Sequence, residues 1–88
     1  MTRPDKEIDA RDLLCPLPVL RARKAILAMS EGQVLRVLAT DPAAVIDMPH
    51  FAHQSGHTYL GAEEADGATA YLLRRGPDAE SLAGDEAI

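Results

Sequence analysis

Only one cysteine, Cys15, occurs among the 88 residues, and there is no tryptophan. A single thiol excludes an internal disulfide, and without a Cys-x-x-Cys pair there is no resolving thiol for dithiol redox exchange. Aromatic residues make up 3% of the chain. Phe51, Tyr59 and Tyr71 are too few and too scattered for a base-stacking platform, so direct nucleic-acid binding is not expected. No apolar run approaches the roughly 20 residues needed to span a bilayer, and the charged first nine residues lack the apolar stretch of a signal peptide. With the lone thiol, these absences point to the cytoplasm. No glycine-rich phosphate loop is present. His50, His53 and His57 have no carboxylate at ligand spacing, so neither metal nor cofactor is expected and exposed histidines are the simpler reading.

What is present suits one small α/β domain. Hydrophobic residues reach 47%, and their shortage of aromatics makes the core aliphatic. The net charge is −5, and Asp78, Glu80, Asp85 and Glu86 account for most of it. The domain is expected over residues 1–76, with 77–88 an acidic, disordered or loosely attached tail. The basic residues Arg11, Arg21, Arg23 and Lys24 cluster in sequence around Cys15. They fit either an anionic sulfur and an acidic partner surface or an ordinary solvated helix face.

Alternation of Ile8 and Ala10 with Asp9 and Arg11 gives a first strand. Residues 17–30 carry apolar side chains at Val19, Ala22, Ile26 and Met29 in helical spacing, with Gly32 as the stop. Residues 34–39 read as a central strand. Asp41 then serves as an N-cap with Pro42 opening a second helix. Pro49 is expected to break or kink that helix near Met48, and Gly56 to end it. Residues 57–63 and 68–75 form two strands joined by a tight turn at Ala65-Asp66-Gly67. The order βαβαββ predicts a two-layer α/β sandwich, a four-stranded mixed sheet with two helices on one face.

Cys15 opens the run Cys15-Pro16-Leu17-Pro18 at the junction between the first strand and the first helix. Proline is tolerated in a first helical turn, where the amides have no intrahelical acceptor. Pro16 biases Cys15 toward the extended backbone of an N-cap, and either Pro16 or Pro18 begins the helix. Exposed amides and the positive end of the helix dipole favour a thiolate there. The residues alone leave two readings open: a functional thiol, or a small buried hydrophobe.

The stretch from Asp9 through Cys15 to Pro18 resembles the signature of the TusA/SirA-like sulfurtransferase family, whose Cys-Pro-x-Pro motif follows the first strand. Residues 41–49, Asp41-Pro42 through Asp47-Met48-Pro49, resemble the family's second motif. The Gly56-His57 turn and a final hairpin ending at Arg74-Arg75-Gly76 also fit, so the resemblance spans residues 7–76. It implies a sulfur carrier and sulfurtransferase with Cys15 as the persulfide-bearing residue and Pro16 and Pro18 shaping the helix start. The implied donor is a cysteine desulfurase or a rhodanese-like protein, and the implied acceptor is a thiol-bearing protein such as a DsrE/TusD-like one. The destinations in the family include tRNA 2-thiouridine, molybdenum cofactor and sulfur oxidation. A monomer acting as a relay is expected. The chain departs from the family at Leu14, where many members carry a basic residue, so stabilising charge is expected from Arg11, Arg21 or the helix terminus. The competing reading is a non-catalytic adaptor or regulatory domain in which Cys15 only caps the helix.

Overall fold

Six elements follow one another in the computed structural model, which describes residues 3–77. They are β1 (Lys6–Ala10), α1 (Leu17–Leu27), β2 (Val34–Ala39), α2 (Ala44–Gln54), β3 (Thr58–Ala65) and β4 (Ala68–Arg74). The strands make one mixed sheet in the spatial order β1-β2-β4-β3. β1 runs parallel to β2, while β4 is antiparallel to both β2 and β3. This is the expected α/β sandwich. The acidic segment 77–88, expected to be loosely attached, lies outside the described residues from position 78 onward.

Alternation along the strands decides which face is covered. Leu35, Val37 and Ala39 of β2 point to one side, in register with Ile8 and Ala10 of β1 and with Leu73 and Tyr71 of β4. They form one core with Ala22, Ala25 and Ile26 of α1 and Met48, Phe51 and Ala52 of α2. Both helices therefore cover the same face. The other face is open, and there Arg36 of β2 is paired with Glu7 of β1 at 3.3 Å and with Glu63 of β3 at 3.5 Å. Its guanidinium reaches across β4 to do so, a role the sequence pattern did not suggest.

Turn chemistry follows the residues closely. Asp66 and Gly67 have φ of 46° and 81° between the paired residues Ala65 and Ala68. Positive φ at both central positions is the two-residue turn whose twist matches a hairpin. Gly56, φ 79°, ends α2 as expected. The His57 amide donates to Ala52 O at 2.8 Å and the Gly56 amide to His53 O at 3.4 Å, which is the Schellman arrangement.

Strand ends shift by a residue or two, with β3 running to Ala65, and the helices depart from the sequence expectation more clearly. α1 ends at Leu27 instead of Ser30. Its last amides form i→i+3 bonds, and the Ser30 amide donates to the Gln33 side chain at 2.8 Å, so a local turn competes with another helical turn. α2 is continuous through Pro49. The proline withholds one intrahelical bond to the carbonyl of Val45, a residue 59% exposed, while burial of Met48, Phe51 and Ala52 on the opposite stripe holds the helix together. The regular helix also begins at Ala44 rather than Pro42, because the first turn is drawn tight: the Ala44 amide donates to Asp41 O at 3.0 Å, and Asp41 Oδ1 accepts from the Ala43 amide at 3.2 Å. The N-cap is therefore Ala43, without a side-chain cap bond, and Asp41 instead closes the 3₁₀-like turn that leads into the helix.

The end of β4 is clamped between two loops. The Gly32 amide donates to Arg75 O, and the Arg75 amide to Gln33 O, each at 2.8 Å. The Gly76 amide donates to His57 Nδ1 at 2.9 Å. His57, whose ring lies 5.9 Å from that of Phe51, is thus a buried structural residue rather than an exposed one, whereas His50 and His53 are exposed on α2. Gly76 has no room for a side chain, since a Cβ there would overlap the carbonyl of Gly56.

Candidate functional site

Parallel pairing of β1 with β2 brings the C-terminal ends of both strands to one edge, where Ala10 is level with Ala39. The loop that follows β1 and the turn that follows β2 therefore lie side by side, at the kind of position where open α/β sheets bind and react. The two segments are tied together. The Asp12 amide donates to Thr40 Oγ1 at 2.9 Å, and Asp12 takes the left-handed φ of 67° that the bend requires. The Cys15 amide donates to Asp41 Oδ2 at 2.6 Å. One carboxylate thus closes the turn before α2 with one oxygen and holds the cysteine backbone with the other.

Cys15 is exposed, which sets aside the buried-hydrophobe reading. Its position differs by one residue from the expected N-cap. Pro16 occupies the cap, without a side-chain cap bond, joined to Cys15 by a cis peptide, and Pro18 lies buried in the first turn. Both prolines lie at the helix start, and they remove two amides that could have faced an anionic sulfur. A third, Leu17 N–H, donates to Leu14 O at 2.8 Å.

The electrostatics reverse the expectation of a stabilised thiolate. The Cys15 thiol is held above its ordinary pKa, first by its hydrogen bond to the Asp47 carboxylate, then by desolvation and by the negative charges of Asp47 and Asp41. No basic side chain is among the causes. Arg11 is engaged elsewhere: its Nε and Nη2 donate to the two oxygens of Asp9, each at 2.9 Å, and this ion pair lowers the Asp9 carboxyl to about 2. Arg21 lines a groove along the β1 side of α1 with Lys6, Leu13, Leu17, Leu20 and Lys24. The carboxylates opposing thiol ionisation come from the second motif, far away in sequence.

Asp41 and Asp47 are thus the site residues that sequence reasoning did not assign. Asp41 was read only as a cap, and Asp47 only as part of a motif. The signal was the joint presence of both motifs, but their meeting depends on strand pairing that spacing does not reveal. Large apolar side chains border the same segments: Leu14 is 68% exposed, Leu17 47%, Val45 59% and Ile46 71%. Exposed apolar side chains concentrated in this way are uncommon on a surface that meets only water. Among the described residues no group of three metal-binding side chains is brought together, and no helix is long and apolar enough to cross a membrane.

The fold is a small α/β sandwich that presents an exposed cysteine in the loop between its first strand and first helix. Residues 6–75 match the family described as sulfurtransferase TusA, and the chain belongs to that family. It is 48% identical over 71 residues to the sulfur carrier protein TusA of Allochromatium vinosum, covering 81% of this chain and 93% of that one. It is 52% identical over 67 residues to a putative sulfur carrier protein of Neisseria meningitidis serogroup A, covering 76% and 90%. The crystal structure of a SirA-like protein from Desulfitobacterium hafniense superposes with a TM-score of 0.66 at 31% identity, covering 82% of this chain and 99% of that one. Sulfur transfer, in the role of a sulfur carrier, is the activity this membership supports.

Proposed function

We propose that this protein carries sulfane sulfur as a persulfide on Cys15 and hands it to a protein thiol. The observation that carries the reading is the exposure of the sole cysteine, held by Asp41 at the strand edge, in a chain of the TusA family. In the loading step Cys15 Sγ attacks the outer sulfur of a donor persulfide. The new S–S bond forms as the donor's S–S bond breaks, and the donor cysteine leaves with the proton that Cys15 gives up. In discharge an acceptor thiol attacks the carried sulfur and Cys15 regains a proton. No net oxidation occurs, so neither cofactor nor second cysteine is needed. A cysteine desulfurase or a rhodanese-like protein fits the donor role in the cytoplasm, and a thiol-bearing protein of the DsrE/TusD-like kind fits the acceptor role, for example on a route to tRNA 2-thiouridine.

The test is an intact mass spectrum of the non-reduced protein before and after incubation with a cysteine desulfurase and cysteine, and separately with a rhodanese and thiosulfate. The expected result is the gain of one sulfur atom, removed by dithiothreitol and absent in Cys15→Ser. No gain with either donor, in a protein whose Cys15 alkylates readily, would sink the carrier reading.

A further inference from the structure

The groove between α1 and β1 is a part of the molecule that the cysteine chemistry does not use. β1 is an edge strand, paired with β2 on one side only, and α1 packs over both. Leu17, Arg21, Lys24 and Ala28 recur at four- and three-residue spacing, so they share the helix face that lines the groove. Lys6 and Ile8 line it from β1, two residues apart and so on the same side of the sheet. The space between is about 730 Å³. Its floor is apolar, with Leu17 47% and Leu20 52% exposed. Its three charged side chains, Lys6, Arg21 and Lys24, are all cationic. The ion pairs among the described residues, Arg11–Asp9, Arg36–Glu7 and Arg36–Glu63, engage none of these three. Like charges beside exposed apolar surface call for an anionic, partly apolar occupant.

The chain itself contains a segment of that chemistry. Residues 78–88, outside the described residues, hold Asp78, Glu80, Asp85 and Glu86 and no basic residue, with Leu82 and Ile88 as large apolar side chains. The described chain delivers them to the end of the sheet where the groove opens. Arg74 is paired with Val34 at the start of β2, and Leu35 with Lys6 at the start of β1. The Gly32 amide, just past α1, donates to Arg75 O. The chain therefore leaves the body at the end that holds Lys6 and the last turn of α1, with two strand spacings, about 10 Å, between β4 and β1. Residues 78–88 reach up to about 36–40 Å when extended. We propose that the acidic segment 78–88 is an intramolecular ligand of the α1–β1 groove, its carboxylates paired with Lys6, Arg21 and Lys24 and its apolar side chains set on the floor. A short tether gives an effective concentration on the order of millimolar, so exposed and partly screened pairs are enough to hold it. The bound segment covers Leu17 and Leu20, and any other acidic chain must displace it to reach them.

Paramagnetic relaxation in the full chain tests this. A nitroxide is attached at Ser81→Cys in a Cys15→Ser background, which makes the outcome independent of sulfur loading, and amide signals are compared with the nitroxide oxidised and reduced. At low salt the amides of Ile8, Leu17, Lys24 and Ala28 are expected to lose most of their intensity, while those of Asp66 and Gly67, in the turn at the other end of the sheet, keep theirs. In about 1 M salt, where the Debye length is about 3 Å, the loss is expected to disappear. Arg21→Glu with Lys24→Glu is expected to abolish it at low salt. Adding Asp78→Lys, Glu80→Lys, Asp85→Lys and Glu86→Lys to that variant is expected to restore it, which separates charge pairing from damage to α1. A mixture of isotope-labelled chain without nitroxide and unlabelled chain bearing it reads contacts between molecules, and no loss is expected there. Equal loss in the mixture would mean that a second copy supplies the segment and would overturn the proposal. Groove amides that keep their intensity at low salt, or a loss that survives both high salt and charge reversal, would overturn it as well.

Discussion

Replacing Asp41 by alanine removes two hydrogen bonds that serve two segments. Oδ1 accepts from the Ala43 amide in the turn that leads into α2, a bond comparable to an N-cap, and Oδ2 holds the Cys15 amide. Loss of an Asp cap costs about 1 kcal/mol, and a bond from an amide to a charged acceptor is worth about 1.5 kcal/mol at the low end suited to an exposed pair. Part of the second contribution is recovered when water solvates the freed amide, so the expected total is about 1.5–2.5 kcal/mol. For a domain of this size that lowers Tm by about 6–20 °C. Differential scanning calorimetry gives the shift, and hydrogen exchange gives its location. The Cys15 amide is expected to lose protection in Asp41→Ala, while amides in the β3–β4 hairpin keep theirs apart from the global change. Asp41→Asn retains one acceptor and is expected to lose about half as much. A Tm within about 3 °C of wild type, or an unchanged exchange rate at Cys15, would refute the assignment of Asp41 as the tie between the two segments.

Three further outcomes are expected. Met48→Ala empties a fully buried position between α2 and the sheet and is expected to cost about 2–5 kcal/mol in a urea titration with little change in slope. Gly76→Ala places a methyl group against the Gly56 carbonyl and is expected to cost about 1–3 kcal/mol, as overpacked sites do, with the largest chemical-shift changes at Gly56 and His57. The Asp9 carboxyl, lowered to about 2 by Arg11, is expected to stay ionised well below the usual carboxylate range; the stability it contributes is present above its unfolded pKa and is lost as pH falls from about 4 to about 2. NMR titration should show the Asp9 midpoint returning toward the ordinary value in Arg11→Ala, and an unchanged midpoint would contradict the ion pair.

How much of this was legible in the sequence depends on range. Element order, the Asp66-Gly67 turn, the Gly56 stop and the β2 strand are decided by neighbouring residues, and they appear where local chemistry puts them. Pro49 misled because a single missing amide was weighed without the burial of Met48 and Phe51 that offsets it. The end of α1 misled because Gln33 competes for the Ser30 amide from outside the helix. At the site, Cys15 and its prolines were visible as a motif, but the sign of the field around the sulfur was not. Arg11, near in sequence, is paired with Asp9, and Arg21 lies along the groove beside β1, whereas Asp41, distant in sequence, holds the Cys15 amide. Charge patterning read along a chain ranks groups by sequence separation, and a parallel strand pair reorders them.

The same long-range tie has a consequence for how the molecule comes into being. The β3–β4 hairpin closes through a two-residue turn and can form within microseconds. The cysteine loop takes its shape only when Cys15 meets Asp41 across 26 residues, and closure of so long a loop waits for the parallel pair and its crossover helix. Until the ribosome has delivered Asp41, the emerging chain carries a cysteine loop without the bond that fixes its backbone. The tie between the cysteine loop and the turn before α2 therefore arrives with the chain's own middle, at the moment the sheet assembles.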